Sequence, residues 1–156
     1  MLDEKERLSD KEYESIGRLL LELIAECPYV PDAVAQEPGG ILYQSIGTKA
    51  SIGIYTLPGA RYLKKYVSGN FTAQIDFQVA YKSFPETNQQ RVDAQAAVDN
   101  IMSWLEGIAE LPPLSGGRKI ESVSVSNGAA YKNDTADDTG VTFVANATMK
   151  YYKKGE

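Results

Sequence analysis

Two periodicities divide the chain. Ile16, Leu19, Leu20, Leu23, Ile24 and Cys27 recur at spacings of three and four, which gathers them on one face of a helix. Ser9-Asp10-Lys11-Glu12 reads as a capping box at its start: the Ser9 hydroxyl accepts from a backbone N–H, and Glu12 reaches back to the cap. Pro28 and Pro31 end it. A second capping box, Thr87-Asn88-Gln89-Gln90, opens a helix expected to run to about Glu110. Its buried stripe is Val98, Ile101, Leu105 and Ile108, with Trp104 beside it, and Pro112-Pro113 stops it.

Elsewhere the period is two. In FTAQIDFQVAYK, residues Phe71, Ala73, Ile75, Phe77, Val79 and Tyr81 share one face. Thr72, Gln74, Asp76, Gln78 and Lys82 share the other, as in a strand buried on one side. VTFVANATMKYYKK repeats the pattern, with Phe143, Ala145, Ala147, Met149 and Tyr151 inward. Shorter strands are expected in ILYQSI after Gly39-Gly40, in ASIGIYTLPG before the Pro58-Gly59 turn, in YLKKYV over 62–67, and in RKIESVSVS after Ser115-Gly116-Gly117. Ser68-Gly69-Asn70 is a turn, and 127–140 reads as a long polar loop.

Strands follow one another without helical crossovers over much of the chain. This predicts an α+β domain: a mixed or mainly antiparallel sheet of about five to six strands with two main helices on one face. Residues 1–156 form a single domain on this reading, with 1–8 and 153–156 as flexible ends.

Composition narrows the chemistry. The chain has 156 residues, 43% hydrophobic, enough to bury a core without disulfide or metal. Its single cysteine, Cys27, excludes an intrachain disulfide and is expected to be a buried thiol. With no histidine, the commonest general base and metal ligand are missing. Phosphate-loop, dinucleotide and nucleophile-elbow motifs do not occur, and zinc spacing is impossible. The expectation is therefore a non-enzyme without cofactor or metal.

The start, MLDEKERLSD, is charged, so no signal peptide is expected. LLLELIAEC is too short and too interrupted by Glu22 and Glu26 to span a bilayer. A cytosolic origin is expected, and the N-x-T sequons at Asn70, Asn133 and Asn146 then read as chance matches. The net charge of −5 disfavours binding nucleic acid over a broad face.

Against that acidity, RYLKKYVSGN places Arg61, Lys64 and Lys65 among Tyr62 and Tyr66, directly before the best strand. The loop NDTADDTG gathers Asp134, Asp137 and Asp138, without the spacing of a calcium loop, next to Tyr131 and Lys132. Tyrosines near strand ends (Tyr62, Tyr66, Tyr131, Tyr151, Tyr152) hint at contacts between proteins, because tyrosine buries much area and keeps a polar handle. Arg61, Tyr62, Lys64, Lys65, Tyr66, Tyr131, Lys132, Asp134, Asp137 and Asp138 are the candidate subunit or partner interface.

An ordered set of segments carries a resemblance. It comprises Leu57-Pro58-Gly59, the Y-x-S-G at 66–69 before a long alternating strand, the R-x-D-A-Q-A from Arg91 to Ala96 and the W-L-E at 104–106. From about residue 16 onward the chain resembles the minor capsid proteins of phages and prophages of Gram-positive bacteria. It is similar, too, to the tail terminator (tail completion) proteins of long-tailed phages.

The resemblance implies an α+β fold, a homo-hexameric ring that caps the tail tube and ends its polymerisation, and a face that meets the head or its connector. The implied partners are other copies of the chain, the tail tube protein and a head–tail connector or neck protein. DNA would pass through the lumen without specific binding, and no membrane is involved. The implied location is the virion tail or neck, after synthesis in the bacterial cytoplasm. On this view the basic 61–65 segment of one subunit meets the acidic 134–138 loop of the next. Alternative readings are a head-side neck adaptor or tube component, a small enzyme or ligand-binding domain, and a direct DNA binder.

Overall fold

A computed structural model describes residues 7–36, 40–47, 49–107, 111, 114, 116–132 and 140–155. In chain order these form α1 (Asp10–Ala25), α2 (Asp32–Ala35), β1 (Ile41–Tyr43), β2 (Ser51–Thr56), β3 (Arg61–Lys65), β4 (Phe71–Ser83), α3 (Asn88–Glu106), β5 (Arg118–Lys132) and β6 (Val141–Lys153). The six strands make one sheet in the order β1-β2-β4-β6-β5, with β3 pairing beside β2 along the first part of β4. Only β1–β2 is parallel. The architecture is the expected α+β one, with a mixed sheet and two main helices.

The alternating residues of β4 and β6 meet face to face. Ile75 lies opposite Met149, Phe77 opposite Ala147 and Val79 opposite Ala145, all fully or almost fully buried. Onto this face pack Ile16, Leu20 and Ile24 of α1 and Val98, Ile101 and Leu105 of α3, in one continuous core. α1 covers β1 and β2, while α3 covers β4, β5 and β6. Losing such a side chain, as in Phe77→Ala, costs about 3–5 kcal/mol.

Both helix starts are capped by the expected hydroxyls. Ser9 Oγ accepts from the Glu12 N–H at 3.2 Å and Thr87 Oγ1 from the Gln90 N–H at 3.1 Å. The reciprocal halves differ from expectation. The Glu12 carboxylate turns inward to Arg118, and the Ser9 N–H is satisfied instead by the Tyr62 hydroxyl at 3.2 Å. Gln90 reaches one residue past the cap, to the Glu86 N–H at 2.6 Å. α3 stops at Glu106 with Gly107 as its cap. Ile108 and Glu110, expected within it, lie outside the described residues.

Two further boundaries move. The stretch 127–132, expected as loop, continues β5: Ala130, Tyr131 and Lys132 pair with Val144, Phe143 and Thr142. Three register shifts in β5 accommodate it, and such bulges blunt a long edge strand. The described residues of the two expected flexible ends make contacts. Leu8 is buried, Arg7 bridges to Arg61, Lys153 closes β6, and the Lys154 and Gly155 N–H groups donate to Gly117 O and Asn70 Oδ1.

Parallel pairing normally needs a long crossover. Here β1 has only three residues, so the chain travels back roughly 10 Å before β2. The turn uses Gln44 at φ +55°. Gln44 is held by its own side chain, which donates to Thr56 Oγ1 at 2.7 Å and accepts from the Thr56 N–H at 3.2 Å. The returning segment runs so close that a Cβ at Gly53 would collide with the Ser45 carbonyl oxygen. Thr56 Oγ1 also meets the hydroxyls of Tyr13 (2.6 Å) and Tyr43 (3.1 Å), which fills its hydrogen-bonding capacity and pins α1 to β1 and β2.

Candidate assembly surface

The sequence candidates fall into two groups at opposite ends of the sheet. Arg61, Tyr62, Lys64, Lys65 and Tyr66 belong to the β3–β4 hairpin, beside the start of β4. Tyr131 and Lys132 end β5, level with Tyr81 and Lys82 near the finish of β4. Along the 13-residue β4 that separation is about 40 Å. Asp134, Asp137 and Asp138 lie outside the described residues. Within one subunit Tyr131 and Lys132 therefore do not meet the hairpin candidates.

The hairpin is built by a bulge. Tyr62 pairs with Ala73, but Lys64 pairs with Thr72 and Lys65 with Phe71, so Leu63 is the extra residue. The shift brings Lys65 to the face occupied by Tyr62, and its Nζ sits 4.2 Å from that ring's centroid. Lys64 Nζ stands 5.0 Å from the Tyr66 centroid. Such ammonium–ring contacts contribute about 0.5–1 kcal/mol at exposed sites and hold the cations in place. The Tyr62 ring packs edge-on against Phe71 at 4.9 Å, and its hydroxyl is committed to Ser9. Tyr62 is thus half a core residue.

At the tip the Tyr66 N–H donates to Asn70 O and the Gly69 N–H to Tyr66 O, with Gly69 at φ +94°, a backbone shape glycine tolerates best. This turn leaves Leu63 42%, Tyr66 41% and Val67 fully exposed. Tyr151, a sequence candidate for contacts, is instead wholly buried.

The register adds cations that the sequence keeps far apart. Lys65, Phe71, Lys153 and Arg118 form one row across the sheet, and Lys64, Thr72, Tyr152 and Lys119 the next. Lys154 follows directly. Arg61, Lys64, Lys65, Lys119, Lys153 and Lys154 thus gather at one end, on rows that alternate between the two faces of the sheet, a wider basic end than the three cations of RYLKKYVSGN suggest. No linear signal marks Lys119 or Lys153 as part of it.

Arg118 stands apart from this group. Its guanidinium donates to Glu12 Oε1 and Oε2 at 2.6 and 2.7 Å, with Nε at 2.8 Å from Oε1. Both side chains are less than a tenth exposed. Beside them burial, and secondarily the Glu12 charge, pushes the Tyr151 hydroxyl well above its usual range. Cys27 is buried as expected, and burial raises its thiol, which makes it a poor nucleophile. Among the described residues no three Asp, Glu, Cys or His side chains cluster in a way that could hold a metal ion. No helix there is long and apolar enough to cross a membrane.

At the far end, a groove of about 460 Å³ opens between the finish of β4 and α3. Its walls include Ala50, Ser83, Phe84, Asp93, Ala94 and Ala97.

The fold and this surface define a class: an α+β sheet domain, helices on one face, with a basic aromatic hairpin at one end. Among solved structures, the chain is similar to one in "Virion of native gene transfer agent (GTA) particle". The likeness spans 87% of this chain and 95% of that one, at 14% identity and a TM-score of 0.51. A second solved chain overlaps 92% of this chain and 93% of itself at 11% identity, but its TM-score of 0.46 is too low to bear on function. No family model and no curated protein matches this sequence. What the first likeness establishes is the shared fold.

Proposed function

We propose that this chain is a structural component of a phage-like virion, and within it a tail terminator. Several copies close into a ring on the end of the tail tube, stop its growth and offer a face to the neck. The observation that carries this reading is the near end-to-end sharing of fold with a chain of a gene transfer agent virion, over 95% of that chain's length. The resemblance of the ordered segments from Leu57 to Glu106 to tail terminators supports the finer role.

The mechanism is surface matching rather than catalysis. A ring needs two different patches on each subunit, related by a rotation that closes. Opposite charge across each joint fixes register and speeds encounter. On this reading the cationic hairpin, at one end of the sheet, is one member of such a pair, and the acidic 134–138 segment of the next subunit is a candidate for the other.

Two measurements test this. Electron micrographs of the purified protein, alone and with tail tubes, should show rings of one size seated on tube ends. Particles assembled without the protein should carry tubes of uncontrolled length that lack heads. Tubes of normal length that join heads in its absence sink the reading.

A further inference from the structure

Exposed apolar side chains concentrate at two places. One is the tip of the β3–β4 hairpin, where Leu63, Tyr66 and Val67 project into solvent. The other is the far end of the sheet, where Phe84, 41% exposed, lines the groove of about 460 Å³. Alanines 33, 50, 94 and 97 give that groove small, apolar walls. Ser83 also borders the groove, with its hydroxyl turned away from solvent. Asp93 is the one charged residue in the lining, opposite in sign to the hairpin.

We propose that the hairpin tip of one copy docks in the α3-end groove of a second copy. The proposal rests on the assembly reading above and names the surfaces that join. A chain cannot fill its own groove, because tip and groove lie at opposite ends of β4, about 40 Å apart. The contact is therefore heterologous, the type that propagates round a ring. Val67 or Tyr66 enters between Phe84 and the alanine wall, an apolar knob in an apolar slot. Lys64 and Lys65 come to the entry on the side of Asp93. Length and shape agree: the tip is a narrow two-stranded turn held rigid by Tyr62 against Phe71 and by Asn70 against Tyr152 and Gly155.

The test places a photoreactive benzophenone residue at position 67 of the full chain. After irradiation, covalent dimers are mapped by peptide mass spectrometry. The expected attachments fall within 83–97. Asp93→Lys should reduce the dimer yield several-fold, and combining it with Lys64→Glu and Lys65→Glu should restore it, a rescue that a folding defect would not produce. Circular dichroism of each variant confirms the native fold.

Attachments outside 83–97 overturn the docking. If rings of fixed size still form in that case, the virion reading survives and the joint lies elsewhere. A chain that yields no dimer adduct at any concentration overturns the docking as well. So does an adduct that moves from protein to added duplex DNA, because the basic end then serves nucleic acid.

Discussion

Two arginine- and lysine-bearing regions lie side by side at one end of the sheet and use their charge in opposite ways. Arg118 is sunk beneath α1 with both carboxylate oxygens of Glu12 on it, away from water. Lys64 and Lys65, two rows away or less in the same sheet, rest over tyrosine rings and face solvent. A buried pair is costly to break, because the surviving charge is left without water or partner. Exposed cations are cheap for the fold to lose, and so are free to serve a surface.

The largest effect should come from the buried side. Arg118→Ala strands the Glu12 carboxylate and should lower stability by about 3–5 kcal/mol. Thermal unfolding should register this as a loss of roughly 10 °C. A shift of a degree or two would place Arg118 with the surface cations and erase the contrast.

Thr56→Val probes a neutral buried network of the same region. It removes the acceptor shared by Tyr13 and Gln44 and the partner of Tyr43, for an expected loss of about 1–3 kcal/mol in urea unfolding.

Tyr151→Phe sharpens the comparison along the pH axis. The folded protein holds this phenol neutral well above the value near 10 that it has when unfolded. The unfolded chain therefore releases the proton first, and stability is intact below pH 10 and falls as pH rises beyond it. The variant should flatten that fall while leaving stability at pH 7 almost unchanged. An identical alkaline decline in both proteins would reassign it to Tyr55 and Tyr81, whose hydroxyls burial also raises.

The Lys64→Glu, Lys65→Glu double variant loses two exposed ammonium–ring contacts and should cost the fold only about 1–2 kcal/mol. Its effect should be on assembly: fewer rings, or tails that fail to join. A variant that is unstable as well would make the hairpin part of the scaffold.

What the sequence discloses follows from how far each signal reaches. The alternation of Phe71–Tyr81 and Phe143–Tyr151 and the two capping hydroxyls are local, and they specify the sheet's centre and both helix starts. Asn127–Lys132 was hidden because NGAAYK has the composition of a loop. It becomes strand through its ladder to Thr142–Asn146 of β6. The candidate surface divides the same way. Arg61, Lys64 and Lys65 are visible as neighbours in sequence, while Lys119 and Lys153 join them through register alone. Glu12 invited the local reading of a capping box, and its true partner is 106 positions away.

That separation has a bearing on how the chain comes to be folded. Helix α1 carries a carboxylate whose buried position is tolerable only with Arg118 against it. Until β5 is in place, the first turn of α1 gains by staying in water. Closing so long a loop is entropically expensive and slow. The first turn of α1 should therefore lock late, together with β5. Stopped-flow refolding of Glu12→Gln, where no charge has to wait, would be the place to see that step change speed.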